Sequence, residues 1–201
     1  MAVNPYQIEA LLAEMAPEFG PDTVVISVAA GISIARLQAA VAGRCPVVRC
    51  MPNTPALVGK GVFALCFDDK VPAESKEDIL RFFSQLGVCL ELPESRFTAF
   101  SALIGAGPAY VFGMMQGLVQ AGVTLGLGRK DCRDMVAALF EGSAVMAARS
   151  DTPLMELRDQ VCSPGGLTIA GVNVLDRAGL SGLLVDAVLA ADERGREMEK
   201  E

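Results

Sequence analysis

The sequence predicts an α/β layer followed by an all-helical region, and three observations predict it. Four short β-rich runs alternate with helical periods in the first half of the 201 residues. Strand signals stop near 91–94, and only helical periods punctuated by glycine and proline follow. With 52% hydrophobic residues the chain has enough apolar surface for a sizeable core.

Each element has a local reason. Residues 5–15 place Ile8, Leu11, Leu12 and Met15 on one helical face. The run VVISVAA at 24–30 is apolar on both faces, the pattern of a strand inside a parallel sheet. Ser33 suits the N-cap of a helix over 33–41. PVVRC at 46–50, VFALCF at 62–67 and VCLEL at 88–92 read as strands. Between the last two, residues 73–86 carry Ile79, Phe82, Phe83 and Leu86 at helical spacing. This alternation predicts a doubly wound layer. Beyond it, 94–103, 107–127, 130–149, 153–161, 164–178 and 180–200 read as helices, which divides the chain into domains 1–93 and 94–201.

Composition excludes several chemistries. Seventeen Lys and Arg stand against 24 Asp and Glu, a net charge of -7, and no basic run suits a nucleic-acid partner. The absence of histidine removes imidazole bases, Ser-His-Asp and Cys-His nucleophiles and histidine-bound zinc. Six cysteines, with no CxxC pair, have neither metal nor redox spacing and read as buried free thiols of a cytoplasmic protein, with no metal expected.

The stretch 97–128 carries no charge and is long enough to span a bilayer. Its seven glycines, Pro108 and the absence of Trp or Tyr at its far end favour a helix buried in a core or subunit interface, with no membrane partner. Gly113, Gly117 and Gly122 each cost roughly 1 kcal/mol against alanine in a helix interior. Close packing of a second helix, from this chain or from a second copy, would offset that cost; kinks without partners are the other reading.

Three motifs stand out. Gly105-Ala106-Gly107-Pro108-Ala109-Tyr110 opens like a dinucleotide fingerprint, with Asp131 further on. Tyr110 stands in place of the third glycine and the preceding segment reads as helix, so a packing role is expected. Met51-Pro52-Asn53-Thr54-Pro55 follows a strand end, where ligands sit in open α/β sheets; Asn53 is there either a ligand contact or a plain Asx-turn. In Ser163-Pro164-Gly165-Gly166-Leu167-Thr168, Ser163 suits an N-cap and Pro164 the first helical position. The two glycines would leave bare N–H groups at a helix start, either a nest for a carboxylate or phosphate or an ordinary capped helix.

Taken in order, AVNP at 2–5, SVAAG at 27–31, RCMPNTP at 49–55, GAGPAY at 105–110 and SPGGLT at 163–168 resemble the pyrroline-5-carboxylate reductases. The resemblance covers essentially the whole chain. It implies a truncated Rossmann-like parallel sheet followed by a helical dimerisation and substrate domain. The activity it implies is reduction of 1-pyrroline-5-carboxylate to L-proline with NADPH or NADH, in a homodimer or higher homo-oligomer.

Carried onto these positions, the resemblance makes Ser163, Gly165, Gly166, Leu167 and Thr168 the site for the small-molecule substrate. Thr168 would be the catalytic contact to the ring nitrogen. Val3, Asn4, Pro5, Ala29, Ala30 and Asn53 would lie along the nicotinamide and its ribose. The missing imidazole fits, because a pyrroline imine can be protonated in solution near neutral pH and the site has chiefly to orient and polarise C=N.

Three departures from the family pattern set further expectations. The strand, glycine loop and helix that precede the AVNP segment in relatives are expected to be absent, Asn4 stands where lysine is usual, and Cys162 replaces a frequent hydroxyl residue. Cofactor binding is expected to suffer more than substrate binding. A non-catalytic dimeric paralogue that binds small carboxylates is the alternative, and reduction of another imine or carbonyl with a cofactor held by a second chain is a third account.

Overall fold

The computed structural model describes residues 5–20 and 22–198, so Val3 and Asn4 lie outside the described residues. The chain divides into two compact units: one runs to Pro108 and resumes at Val188, and the other is Ala109–Ala187.

The first unit is built on a sheet ordered β1-β2-β3-β4. Its strands are β1 (Val25–Ser27), β2 (Val47–Met51), β3 (Gly61–Phe67) and β4 (Gly87–Glu91). Helices α1 (Pro5–Met15), α2 (Ile34–Ala40) and α3 (Ala73–Ser84) occupy the segments whose periodicity is helical.

The sheet is parallel at β1–β2 and β3–β4 but antiparallel at β2–β3, with Val48 opposite Phe67 and Met51 opposite Ala64. Parallel pairings dominate, as the Rossmann-like reading expects, and the β2–β3 pairing alone among the three departs from it. Only residues 52–60 join β2 to β3, with a 3-10 turn at Thr54–Val58. A parallel crossover needs a dozen or more residues, so the chain doubles back. The other two connections contain α2 and α3 and return parallel.

Alternation along the strands sorts the core into layers. On one face Val25 and Val47 meet Ile8 and Leu12 of α1 and Leu37 of α2. On the other, Val48, Phe63 and Leu65 meet Ile79 and Phe83 of α3, with the Phe63 and Phe83 ring centroids 5.1 Å apart. Ala64 packs against Phe97 and Phe100. Each fully buried aliphatic or aromatic side chain here contributes roughly 1.5–3 kcal/mol by leaving water. Gly87 opens β4 at φ +149°, and a side chain there would run into the backbone of Gly61, its partner on β3.

The expected helix 94–103 is interrupted. A 3-10 turn at Glu94–Arg96 leads into α4 (Phe97–Phe100), which widens into a π-helical turn at Ser101–Gly105. Next come α5 (Gly107–Thr124), α6 (Arg129–Arg149), α7 (Leu154–Gln160), α8 (Leu167–Arg177) and α9 (Leu180–Met198).

Within the second unit, Val119 of α5 packs against Cys132 and Val136 of α6. Gly122 permits that approach, since a Cβ there would lie 2.6 Å from the Cys132 sulfur. Gly113 and Gly117 meet nothing within 4 Å. Much of this unit's apolar surface faces outward: Phe112, Leu139, Met146, Leu154 and Leu183 are 55–70% exposed.

Candidate active site

The loop from β1 to α2 carries Ala29 and Ala30 beyond the C-terminal end of β1. Ala29 is buried and its N–H donates to Ser27 Oγ at 3.3 Å. Gly31 turns the chain at φ +76°, a conformation that glycine adopts without steric cost. Ser33 then caps α2 as expected, its Oγ accepting from the Arg36 N–H at 3.2 Å. Beside this loop lies a cleft of about 410 Å³ lined by Gly31, Ser33, Arg36, Arg49, Glu94 and Ser95.

Two charged residues at that cleft escaped the reading of the motifs. Arg49 lies on β2 with its side chain 6% exposed, paired with Glu94 Oε1 at 3.0 Å and 4.7 Å from the Phe97 ring centroid. The same carboxylate oxygen accepts the Ile34 N–H at 2.7 Å. The signal in the sequence was an arginine inside the apolar run PVVRC, because a charge buried in a strand requires a partner.

Asn53 is half-buried just beyond β2 and does not form a local Asx-turn. Its Oδ1 accepts from the Val62 N–H at 2.9 Å and its Nδ2 donates to the Ile104 carbonyl at 3.3 Å. It therefore ties the start of β3 and the π-helical turn to the end of β2. One amide N–H and one oxygen lone pair remain beyond these two bonds.

In the second unit, Ser163, Gly165, Gly166, Leu167 and Thr168 form one continuous turn and helix start, but not with the expected capping. Helix α8 begins at Leu167 rather than at 164, and Gly166, not Ser163, is its N-cap. Residues 163–166 are a β-turn closed by the Gly166 N–H donating to the Ser163 carbonyl at 3.0 Å, with Gly165 at φ +67°. Proline followed by a glycine at positive φ is the sequence of a type II turn, which bends the chain before any helix can start. Gly166 lies against the Ser163 hydroxyl, so a side chain at that position would displace it.

The first helical bond runs from the Ala170 N–H to the Gly166 carbonyl at 3.3 Å. The N–H groups of Leu167, Thr168 and Ile169 therefore have no acceptor within the helix. Thr168, at the second helical position, is exposed. Arg158 of α7 pairs with Asp176 of α8 at 3.4 Å and with Asp159 at 3.0 Å, bracing the two helices that flank the turn. Three aligned donors at the positive end of a helix of eleven residues suit a carboxylate, and the adjacent hydroxyl can donate or accept one further bond.

The remaining motifs and thiols carry no chemistry of this kind. Gly105-Ala106-Gly107 follows a helical segment rather than a strand, so it lacks the setting of a phosphate-binding turn. Burial pushes the Cys50 thiol up to about 12 and raises Cys45 and Cys66 as well, which leaves these sulfurs protonated at neutral pH. Among the described residues, no group of three or more Cys, Asp or Glu could hold a metal ion.

A Rossmann-like α/β layer followed in the chain by a helical region, with N–H donors free of helical acceptors at the start of α8, defines the class of the protein as a two-part α/β and all-α chain. Residues 94–198 match the family model of the pyrroline-5-carboxylate reductase dimerisation domain. The chain is 40% identical over 178 residues to the pyrroline-5-carboxylate reductase of Corynebacterium melassecola, covering 89% of this chain and 66% of that protein. It is 37% identical to the Pseudomonas aeruginosa enzyme of the same name, covering 98% of this chain and 73% of that one. The crystal structure of Plasmodium falciparum pyrroline carboxylate reductase with NADP bound is similar at a TM-score of 0.91 and 33% identity, covering 98% of this chain and 79% of that one. This chain belongs to the pyrroline-5-carboxylate reductase family, and it spans roughly two thirds to four fifths of the length of these three relatives.

Proposed function

We propose that this chain reduces 1-pyrroline-5-carboxylate to L-proline with NADPH, or NADH in its place, as a cytoplasmic enzyme of proline biosynthesis. The observation that carries the reading is the turn at 163–168. It offers three N–H donors and one exposed hydroxyl, a match for a substrate with one carboxylate next to one ring nitrogen. In this reading the N–H groups after Gly166, beginning with that of Leu167, hold the carboxylate, with Ser163 and Gly165 shaping the turn. Thr168 hydrogen-bonds the ring nitrogen and fixes the orientation of C=N.

Val3, Asn4, Pro5, Ala29, Ala30 and Asn53 are assigned to the nicotinamide and its ribose. Ala29 and Ala30 support the assignment by their small side chains and by their place after β1, in the loop whose Gly31 and Ser33 line a cleft within the usual size range of ligand pockets. When bound, the reduced nicotinamide supplies the hydride that the imine carbon receives.

The division of labour follows the sequence, with residues 1–93 for the nucleotide and 94–201 for dimerisation and substrate. The helical run 94–124 is apolar and long enough to cross a bilayer by length and composition. The family match over 94–198 favours a second copy of this chain as its cover, in a homodimer or higher homo-oligomer, with neither membrane nor nucleic acid as partner.

The test is the loss of reduced-nicotinamide absorbance when pyrroline-5-carboxylate is added to the purified chain, with NADPH and NADH assayed separately. A substrate-dependent rate is expected. No rate from a folded protein that still binds proline would favour the alternative, a non-catalytic carboxylate-binding dimer.

A further inference from the structure

Glu94 is the first residue of the segment that matches the dimerisation domain, yet its carboxylate reaches back into the sheet. Oε1 accepts from the Ile34 N–H at 2.7 Å and from Arg49 Nη1 at 3.0 Å, partners 60 and 45 residues away in sequence. We infer that Glu94 is a positioning residue that sets the Ala29–Ser33 loop against the sheet and so acts on cofactor binding through that loop. This rests on the assignment of Ala29 and Ala30 to the nicotinamide made above.

The hydrogen bonds that shape the loop carry the argument. Ala29 N–H to Ser27 Oγ holds only the start of the loop to the end of β1, and Arg36 N–H to Ser33 Oγ joins its end to α2, so neither fixes where Ser33 and the start of α2 sit against the sheet. Ala29 and Ile32 bury their side chains against α1 and α2, a non-directional hold that fixes depth but not orientation. The Ile34–Glu94 bond is different in kind. It is charge-assisted, it engages the first N–H of α2, and its acceptor is itself held by Arg49 on β2. A negative charge at that helix start is favoured by the helix dipole. Arg49 is in turn clamped over Phe97 of α4. The path runs from strand to arginine to carboxylate to loop, with a bond distance at each polar step.

Truncating Glu94 alone would leave the Arg49 charge buried without that carboxylate, which destabilises the sheet for reasons unrelated to the loop. The comparison is therefore made in the full chain with Arg49→Met, which removes the charge and keeps an apolar side chain under Phe97. In that background Glu94→Gln keeps a carbonyl oxygen for the Ile34 N–H and Glu94→Ala does not. The readouts are the KM for NADPH in the pyrroline-5-carboxylate assay, NADPH affinity by calorimetry, and hydrogen exchange of the peptide over 29–36.

The Glu94→Ala double variant is expected to raise KM and the dissociation constant by about tenfold and to speed exchange in that peptide by about as much, whereas the Glu94→Gln double variant stays close to the Arg49→Met parent. Equal affinity and exchange in the two doubles overturn the inference. Should the Arg49→Met background fail to fold, Glu94→Gln is compared with Glu94→Ala in an Arg49→Leu background, which also removes the charge: weaker NADPH binding and faster exchange over 29–36 in the alanine variant support the inference, and equal values overturn it. A native chain that neither oxidises nor binds NADPH defeats the proposed function, and this inference with it. A native chain that binds NADPH, with indistinguishable variants, defeats the role of Glu94 alone.

Discussion

Thr168 is the residue on which the proposed chemistry turns. Its hydroxyl is exposed at the second position of α8, beside N–H groups that have no acceptor within the helix. Thr168→Ala removes the bond to the ring nitrogen and leaves the turn intact, because that turn is made by Ser163, Gly165 and Gly166. The expected outcome is a fall in kcat/KM of at least about tenfold, roughly 1.4 kcal/mol of transition-state stabilisation, with the proline dissociation constant much less affected. Steady-state kinetics and proline titration check it together, and unchanged kinetics would remove Thr168 from the mechanism. The residue types of this motif were legible in the sequence. Its capping was not, because Ser163-Pro164 is equally good as a helix start and as the first half of a β-turn. The left-handed Gly165 decides for the turn.

At the scale of elements, α1 and α2 are joined by a bidentate pair, Arg36 Nε to Glu9 Oε1 at 2.7 Å and Arg36 Nη2 to Glu9 Oε2 at 3.1 Å. The hydrogen bonds from Arg36 hold the Glu9 carboxyl below its usual 4.5. A carboxylate with a lowered folded pKa stabilises the fold above the unfolded value and loses that contribution as pH falls through the folded one. Both side chains are more than 40% exposed, so solvent screening keeps the pair to about 0.5 kcal/mol. Glu9→Gln should therefore lower stability slightly near neutral pH and not at all once Glu9 is protonated, well below pH 4.5, and high salt should erase the difference. Urea melts of the two proteins across that range measure it. A constant offset at every pH would assign the loss to packing instead. Neither partner is singled out by the sequence, since 27 positions separate them and only the folded layer brings α1 against α2.

For the whole molecule the telling fact is how little of the second unit's apolar surface its own helices cover. Its core cluster is three buried residues, while Phe112 and Leu154 are 63% and 70% exposed. Exposed apolar area on this scale marks an association surface. The family's dimerisation domain covers the same stretch. Light scattering at micromolar concentration should give the mass of at least two chains, and a monomer would contradict it. The open glycines Gly113 and Gly117 belong to this expectation. Gly122 is matched by Cys132 within the chain, but the other two meet no atom of it.

The sequence by itself determined the kinds of elements and their order, because hydrophobic period, caps and breakers act over a few residues: α1 lies on the expected 5–15 and β3 ends at Phe67 as read. It also determined the chemistry on offer, with no imidazole anywhere and a glycine turn before an exposed threonine. Tertiary structure alone decided the antiparallel pairing of β2 with β3, the internal use of Asn53, and the burial of Arg49 between Glu94 and Phe97. These depend on which distant groups meet once the layers close. A partner 45 or 60 residues away leaves no mark on local spacing.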